Sequence, residues 1–537
     1  MLPAHKTKDC PRRAGTEHKS CDAQPESRAP AKARRRHHVE LDMPRVLSAG
    51  TFALAIASAA VLMLAGCATP GHQAPPAVER SADSLGLSAA STTTAVDARW
   101  WHRFGDAQLD TLVDKALSGS PNIAAAQARL AKAQSVIDAT HGADGPQVGL
   151  AVTAQRERLS ENGLFPPPYG GMTFNTADSS LQASWAPDFF GRQRADLEAA
   201  VGSARAARAD ADVAAQQIAT QVVRTYLQLA RLESQREVAV RTLAQREEML
   251  KLIQQRVHAG LDTVVELRQG EGALPDTRAQ IEQLDEQITL ARHLLAALSA
   301  QPNAATDALA PTLAGLSAPP QPPVLGADLL ARRPEIAAEL ARVEAAEQQV
   351  KSQRTRFYPD INLTGFIGFN AISFDKAFDW ASRDWGVGPA LHLPIFEGGA
   401  LRAQLKGKGA DRDAAIQAYN QAVIDAVHEA TDAAASAASV ARQQAQQQQA
   451  LVAAESSYSF AQQRYAQGLG NQLIVLNAET QTLAQRRLDV DLKYRALDVQ
   501  AQLMKALGGG WTTPEGFSAI PVAAPASAAT ASLASPA

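Results

Sequence analysis

Histidine is the first side chain to consider for catalysis or metal binding, because its imidazole transfers protons and binds metals near neutral pH. His102, His258, His392 and His428 each stand apart from cysteines and from paired carboxylates at ligand spacing. No glycine-rich phosphate loop follows a predicted strand. The sequence therefore offers no catalytic residues, no metal site and no cofactor site, and we expect the protein not to be an enzyme.

Cys67 is the one residue whose surroundings predict a covalent modification. An apolar run from Val46 to Leu64 follows Met43-Pro-Arg45 and ends in Leu64-Ala-Gly-Cys67. A basic start, a short apolar run and small residues before a cleavage point are typical of a secretory signal, and this ending resembles the bacterial lipoprotein signal. We expect residues 43–66 to be removed and Cys67 to receive acyl chains such as palmitate. A permanent transmembrane helix is the alternative, because about 19 residues can just span a bilayer.

The first 42 residues are basic and precede a plausible start at Met43, so we interpret them as an over-long N-terminus and not as a nucleic-acid-binding arm. The formal net charge of the full chain is −3. Loss of residues 1–66 removes more Lys and Arg than Asp and Glu, which leaves a more acidic chain that is a poor partner for nucleic acid. Cys10 and Cys21 fall in the same segment, so the exported chain has no pair of thiols for a disulfide or a zinc site.

The remaining chain divides into a tether, two repeats, a connector and a tail. Residues 67–96 are rich in Pro, Ser, Ala and Thr and are predicted to link the lipid to the folded body. Residues 97–301 and 328–512 form the repeats, a Pro-rich connector spans 302–327, and a disordered Ala/Pro/Ser tail spans 513–537. The repeats are matched by motifs at a nearly constant separation: Pro121 with Pro334, Pro187-Asp-Phe-Phe-Gly191 with Pro394-Ile-Phe-Glu-Gly398, and Gly260 with Gly468.

Each repeat contains two stretches in which apolar residues alternate with small or polar ones, a pattern typical of strands. They lie near residues 148–155, 181–186, 361–368 and 387–393. Each alternating stretch predicts a strand of roughly 8 to 10 residues, a length that fits a tilted transmembrane strand. Aromatic-rich loops, 159–176 and 370–383, separate the strands of each pair and are expected at one membrane interface. A soluble sheet with an aromatic core is the alternative.

After each strand pair the sequence predicts a very long helix, a turn and a shorter returning helix. The long helices run from Arg194 to about Val257 and from Leu401 to about Gln467, and the returning ones cover 263–299 and 472–507. About 65 residues at 1.5 Å each give a helix about 100 Å long. The apolar positions in the first long helix step by four and three residues, as in a coiled coil: Ile218, Val222, Thr225, Leu229 and Leu232.

Four strands cannot close a membrane barrel, since known barrels begin at about eight strands and an open edge in hydrocarbon leaves backbone groups unpaired. Several chains must therefore contribute to one barrel. The sequence predicts an oligomer for this reason alone.

Five ordered motifs resemble the outer-membrane factor family of TolC-like channels, and in particular its drug-efflux lipoproteins, and the resemblance covers about residues 97–512. They are Leu64-Ala-Gly-Cys67, Asp328-Leu-Leu-Ala-Arg-Arg333-Pro-Glu-Ile336, Phe357-Tyr-Pro-Asp-Ile-Asn-Leu363, Pro394-Ile-Phe-Glu-Gly-Gly399 with Leu401-Arg402, and the stretch Gly468 to Glu479. The resemblance implies a mainly α protein with membrane β structure, in which a homotrimer forms a periplasmic α-helical barrel and a twelve-stranded outer-membrane β-barrel. It also implies a passive exit duct that receives small molecules from an inner-membrane efflux pump through a periplasmic membrane-fusion adaptor.

The resemblance also implies roles for the two helical tips. Adaptor docking is expected at Arg256, Gly260, Leu261, Arg464, Gly468 and Leu469. Closure of the periplasmic aperture is expected from Ile474 and Asn477 on the second tip, with charge from Asp262 or Glu266 on the first. The simpler alternative is that the glycines only permit the turns and the arginines only cap helix ends. Two other functions share features of the sequence: a type I protein-secretion duct and a non-conducting coiled-coil spacer in the periplasm.

Overall fold

The computed structural model describes residues 75–80, 96–317 and 327–514. Cys67, segments 1–42 and 43–66, most of the tether, part of the connector and nearly all of the tail lie outside the described residues. Within the described part of the chain, no helix combines the length and the apolar character that a membrane span requires.

The two halves of the chain repeat one order of elements. After a short helix α1 (Ala107–Gly119), the first half contains α2 (Pro121–Ala143), β1 (Gln147–Arg158), β2 (Thr173–Trp185), α3 (Arg192–His258) and α4 (Val264–Leu298). The second half contains α5 (Pro334–Thr355), β3 (Asp360–Ala371), β4 (Arg383–His392), α6 (Ala400–Ala466) and α7 (Gln472–Ala506). Helices α3 and α6 have 67 residues each, and α4 and α7 have 35 each. The internal duplication predicted from the sequence is confirmed.

The long helix α3 is the centre of the helical packing. Its predicted seam is buried along its whole length: Ile218, Val222, Thr225, Leu229 and Leu232. Burial of a Leu or Ile side chain contributes about 1.5–3 kcal/mol. Helix α3 contacts α2, α4, α5 and α7, while α6 contacts α5 and α7. A helix of 67 residues is about 100 Å long, so the shorter helices lie along different parts of it.

Aromatic side chains pack around the middle of α3. Trp100 and Phe104 are almost completely buried there, together with the apolar face of α1. The Tyr226 hydroxyl of α3 donates a hydrogen bond to Asp106 Oδ2 at 2.7 Å, and Asp106 also accepts from the backbone N–H of Gln108 to cap α1. These contacts fix the N-terminal part of the body against the first long helix.

The four strands form one antiparallel sheet in the order β1-β2-β3-β4. Residues that lie directly opposite each other share a face, so the register sorts every strand residue onto one of two faces. The apolar face contains Val148, Leu150, Val152, Leu181, Trp185, Leu363, Ile367, Trp385, Val387 and Leu391. The polar face contains Thr153, Gln155, Asp178, Ser180, Gln182, Asn362, Thr364, Asn370 and Asp384. The strands are longer than the alternation predicted: β2 begins at Thr173, because polar residues there alternate too weakly to be recognised.

The apolar face of the sheet is not covered by the rest of the protomer. Val148, Leu150 and Val152 are 63–70% exposed, and Trp385 is 70% exposed. An exposed apolar face of this extent does not suit a soluble sheet, because it would lie in water. The structure therefore favours a lipid-facing surface over the soluble alternative.

A short extended segment, residues 75–80, lies against α6. The Asn420 side chain donates from Nδ2 to the Val78 carbonyl at 3.0 Å and accepts from the Arg80 N–H at 2.8 Å. The Ala77 N–H donates to Asp413 Oδ1 at 3.4 Å. This pairing holds the chain that leads back to Cys67 on the surface of the long helix.

Candidate functional site

Both long helices end in the same turn, at the end of the molecule farthest from the sheet. In the first turn the Gly260 N–H donates to the Val257 carbonyl at 3.0 Å and the Leu261 N–H donates to the Arg256 carbonyl at 2.8 Å. The second turn repeats both bonds and both distances, with donors Gly468 and Leu469 and acceptors Tyr465 and Arg464. This pair of bonds is the Schellman motif. Gly260 and Gly468 have φ values of 73° and 75°, which only glycine adopts without strain.

The two turns present apolar side chains outward. Leu261 and Leu469 are each 65% exposed, so neither makes the apolar contact that often accompanies this motif. Exposed aliphatic residues follow them at the start of the returning helices: Val264, Val265, Leu473 and Ile474. We call this set of six side chains the tip leucine patch. It is a surface from which binding of another protein would remove apolar area from water.

A three-residue cluster joins the first tip to the second. The Arg256 guanidinium pairs with Asp262, with Nε 2.9 Å from Oδ2, and donates from Nη1 to the Tyr465 carbonyl at 3.1 Å. The Tyr465 hydroxyl donates to the same Asp262 carboxylate, and the Arg256 guanidinium lies 4.5 Å from the centre of the Tyr465 ring. The side chains of Arg256 and Asp262 are only 12% and 10% exposed. We call Arg256, Asp262 and Tyr465 the tip cluster.

The tip cluster holds Asp262 in its charged form. Hydrogen bonds from Arg256 and then from Tyr465 lower the pKa of Asp262 below its ordinary value of 3.8. Burial and the bond to Asp262 raise the pKa of Tyr465 well above its usual range, so its hydroxyl keeps its proton and stays a donor. The arrangement is therefore a charged and fully hydrogen-bonded contact at neutral pH.

The other predicted aperture residues have separate surroundings. Glu266 accepts from the Thr263 N–H at 2.9 Å and from its hydroxyl, which completes a capping box at the start of α4. These bonds lower the pKa of Glu266. Ile474 is 53% exposed and its N–H donates to Asn471 Oδ1 at 3.2 Å, while Asn477 is exposed one turn further along α7. The structure thus engages both acids of the first tip within the protomer.

The predicted docking arginines also differ from each other. Arg256 is engaged in the tip cluster, whereas Arg464 is exposed and, among the described residues, donates to the Leu469 carbonyl alone, at 3.3 Å. Among the described residues, no group of three or more His, Cys, Asp or Glu could hold a metal ion.

Above the tips, three arginines of α3 pair with acids of α7. Arg246 Nε lies 2.7 Å from Glu479 Oε1, and the pairs Arg231–Asp491 and Arg224–Asp498 have N–O distances of 2.6 Å. Arg246 also donates to the Thr277 hydroxyl of α4 at 2.8 Å. The sequence assigned no contact to these residues or to Tyr465, because the pairs between α3 and α7, and the contact of Arg256 with Tyr465, join helices that lie more than 200 residues apart in the chain.

A profile of the outer membrane efflux protein family matches residues 112–301 and 325–509. The chain belongs to this family. It is 33% identical over 365 residues to fusaric acid resistance protein FusA of Burkholderia cepacia, with 66% of this chain and 69% of that protein covered. It is 30% identical over 468 residues to multidrug resistance outer membrane protein MdtP of Shigella flexneri, with coverages of 84% and 94%. The solved structure of the outer membrane protein VceC of Vibrio cholerae matches with a TM-score of 0.72 and 32% identity, over 77% of this chain and 99% of VceC.

Membership of the outer membrane efflux protein family confirms the fold class, the location and the general function predicted above. The protein is an outer-membrane efflux channel. Each chain is one protomer of a trimeric helical-barrel assembly. Members of this family act as trimers with an adaptor and an inner-membrane pump. The non-conducting spacer is excluded, since the family consists of channels.

Proposed function

We propose that this efflux channel exports small toxic molecules, which an inner-membrane pump and a periplasmic adaptor deliver to its helical tips. The observation that supports this proposal is that one protomer has two exposed apolar surfaces, one at each end. The apolar face of the sheet suits lipid, and the tip leucine patch lies at the far end of helices about 100 Å long. A duct with these two ends can join a periplasmic partner to the cell exterior.

The small-molecule class is supported by the relatives. FusA is named for resistance to fusaric acid and MdtP for multidrug resistance. The polar face of the sheet supports the same class, because most of its residues are uncharged and the only Asp, Glu, Lys or Arg residues that the described strands place on it are four acids. The alternative, type I protein secretion, uses the same family fold.

Deletion of the gene tests the substrate class. We expect the deletion strain to accumulate fluorescent drugs and to become more susceptible to several of them, with both effects reversed by the gene on a plasmid. Secreted proteins in the culture medium should be unchanged. Normal drug accumulation together with loss of a secreted protein would establish the type I alternative instead.

Docking of the adaptor on the tip leucine patch is part of the proposal. Leu261 and Leu469 supply equal apolar surface at the two tips, and Arg464 adds an exposed cation beside the second. Arg256 supports docking indirectly, since it fixes the first turn through the tip cluster. Gly260 and Gly468 give both turns the same shape.

We also propose that α7 closes the periplasmic aperture. The exposed side chains of Ile474 and Asn477 support a narrow, largely apolar constriction where three protomers meet. Asp262 and Glu266 make contacts within the protomer, so their carboxylates add charge to the opening only when those contacts break.

We further propose that Cys67 is acylated, which predicts that one variant loses its lipid label. Cys67→Ser should abolish incorporation of labelled palmitate and leave the uncleaved precursor, which runs larger on a gel. Cys21→Ser is the matched control, because it removes a thiol from the discarded segment and should leave labelling unchanged. Labelled palmitate in the Cys67→Ser protein would contradict the assignment.

A further inference from the structure

The charged residues of the sheet are separated by sign between its two faces. The described strands contain seven Asp, Glu, Lys or Arg residues. The register places all four acids on the polar face, namely Glu157, Asp178, Asp360 and Asp384, and all three arginines on the apolar face, namely Arg156, Arg158 and Arg383. An apolar face in lipid has no need of a charge, so the three arginines require an explanation.

All three arginines lie at the outer end of the sheet. β1 ends at Arg158 and β4 begins at Arg383, whereas the long helices leave the sheet from its opposite end. Arginine near the edge of the hydrocarbon costs far less free energy than arginine at the centre of the bilayer. The outer end of the apolar face therefore meets the headgroups of the outer leaflet, and the arginines stand at that level.

The arginines are available to a ligand. Arg158 is 67% exposed and pairs with Glu161 in the adjacent loop at 3.0 Å. The Arg383 guanidinium lies 4.2 Å from the centre of the Trp380 ring, and Trp380 is itself 73% exposed. Arg156 is exposed. Neither Arg156 nor Arg383 forms an ion pair with a described residue.

Closure of the barrel brings these residues together. In one protomer the arginines sit on the two edge strands, β1 and β4, and none sits on β2 or β3. In a threefold ring the β4 edge of each protomer must meet the β1 edge of the next. Adjacent strands lie about 4.8 Å apart. When the outer ends of β4 and β1 pair level at the seam, each of the three seams combines Arg383 of one protomer with Arg156 and Arg158 of its neighbour. No acid of the described strands lies on that face.

We propose that each seam binds a phosphate group of an outer-leaflet glycolipid, of the lipid A type. Three neighbouring cations repel each other unless an anion lies between them. The planar guanidinium forms paired hydrogen bonds with phosphate, which favours arginine over lysine for this task. The acyl chains of the same lipid would cover the apolar face below, and Trp380 and Trp385 lie at the height of its sugar headgroup. The bound lipid ties adjacent protomers together from outside.

Native mass spectrometry of the full-length trimer, delipidated and then titrated with bis-phosphorylated lipid A, tests the proposal. We expect up to three lipids per trimer, one for each seam. The triple variant Arg156→Gln, Arg158→Gln, Arg383→Gln should weaken binding about tenfold or more, since it removes every charge-assisted hydrogen bond to phosphate. The matched control is Arg241→Gln, Arg268→Gln, Arg278→Gln, which removes the same charge from exposed helical positions and should bind as the wild type does.

Two further ligands identify the lipid. Lipid A without phosphates should bind the wild type as weakly as bis-phosphorylated lipid A binds the triple variant. Phosphatidylglycerol should bind more weakly than bis-phosphorylated lipid A, because it offers a single phosphate. Equal binding by the triple variant and its control, or equal binding of the two phosphorylated lipids, would overturn the proposal. If the glutamine variant does not trimerise, the corresponding lysine variant keeps the charge, and lipid A binding equal to wild type in that variant would refute the role of the guanidinium.

Discussion

Channels with Asp262→Ala are expected to conduct several-fold more current than the wild type in planar bilayers. Asp262 accepts hydrogen bonds from both Arg256 and Tyr465. The bond from Tyr465, together with the bond from Arg256 to the Tyr465 carbonyl, holds the first turn to the end of α6. Loss of a partly buried ion pair costs about 2 kcal/mol, between the values for exposed and buried pairs. A change of about 2 kcal/mol alters an equilibrium about 30-fold. The balance should therefore move from closed towards open tips.

Glu266→Ala is the matched control for this change. It removes a carboxylate from the same tip, but its hydrogen bonds stay within the capping box of α4 and do not reach the second hairpin. We expect its conductance to remain close to that of the wild type. Equal conductance in the Asp262 and Glu266 variants would show that the tip cluster does not hold the aperture.

Acidic pH should reproduce part of the Asp262→Ala effect in the wild type. The pKa of Asp262 in the folded protein lies below its ordinary value of 3.8 because Arg256 and Tyr465 stabilise the charged form. The stability that this carboxylate contributes is present above the ordinary pKa and is lost as pH falls through the lower, folded-state pKa. Wild-type conductance should therefore rise below about pH 4, whereas the Asp262→Ala channel, which is already open, should change less.

Reversal of the charge at Arg464 is expected to reduce cross-linking to the adaptor about tenfold, the effect of losing one interface contact of about 1.4 kcal/mol. Arg464 is exposed beside Leu469 and is not part of the tip cluster, so a docked partner can reach it. The measurement is the cross-linking yield in cells between a photoreactive residue at Leu473 and the cognate adaptor. The trimer itself should remain intact on a native gel.

Two variants separate docking from effects on the helix end. Arg464→Glu also places an anion at a helix C-terminus, which costs about 0.3–1 kcal/mol, so Arg464→Gln tests the loss of the cation alone. Arg241→Glu makes the same charge reversal about 25 Å above the end of α3, counted along the helix, and should leave cross-linking unchanged. Cross-linking at wild-type level in Arg464→Glu would remove Arg464 from the docking surface.

The sequence predicted the elements well, because their determinants are local. Absence of proline and the four-and-three spacing defined α3 as 194–257, and the structure has Arg192–His258. The glycines that end α3 and α6 were identified because a positive φ requires them. The capping box of Glu266 could also have been read from Thr263-x-x-Glu266, a known helix-start pattern, and would have indicated that this carboxylate is already engaged.

The contacts between the two hairpins could not be predicted from local sequence patterns. The partnership of Asp262 with Tyr465 depends on how α6 lies beside α3, which no local pattern encodes. The same holds for Arg246 and Glu479, which are 233 positions apart. The sheet register, and with it the separation of acids from arginines, required knowledge of which strand residues face each other.

The two Schellman turns determine the symmetry that the trimer presents to a docking protein. A trimer presents six of them in a ring, alike in backbone and in the 65% exposure of Leu261 and Leu469. Their arginines alternate, since Arg256 is enclosed in its own protomer and Arg464 is exposed. The ring therefore presents a docking protein with sixfold symmetry in backbone shape but only threefold symmetry in exposed charge. Six identical adaptor subunits would fit every position, yet only alternate subunits would meet an exposed arginine.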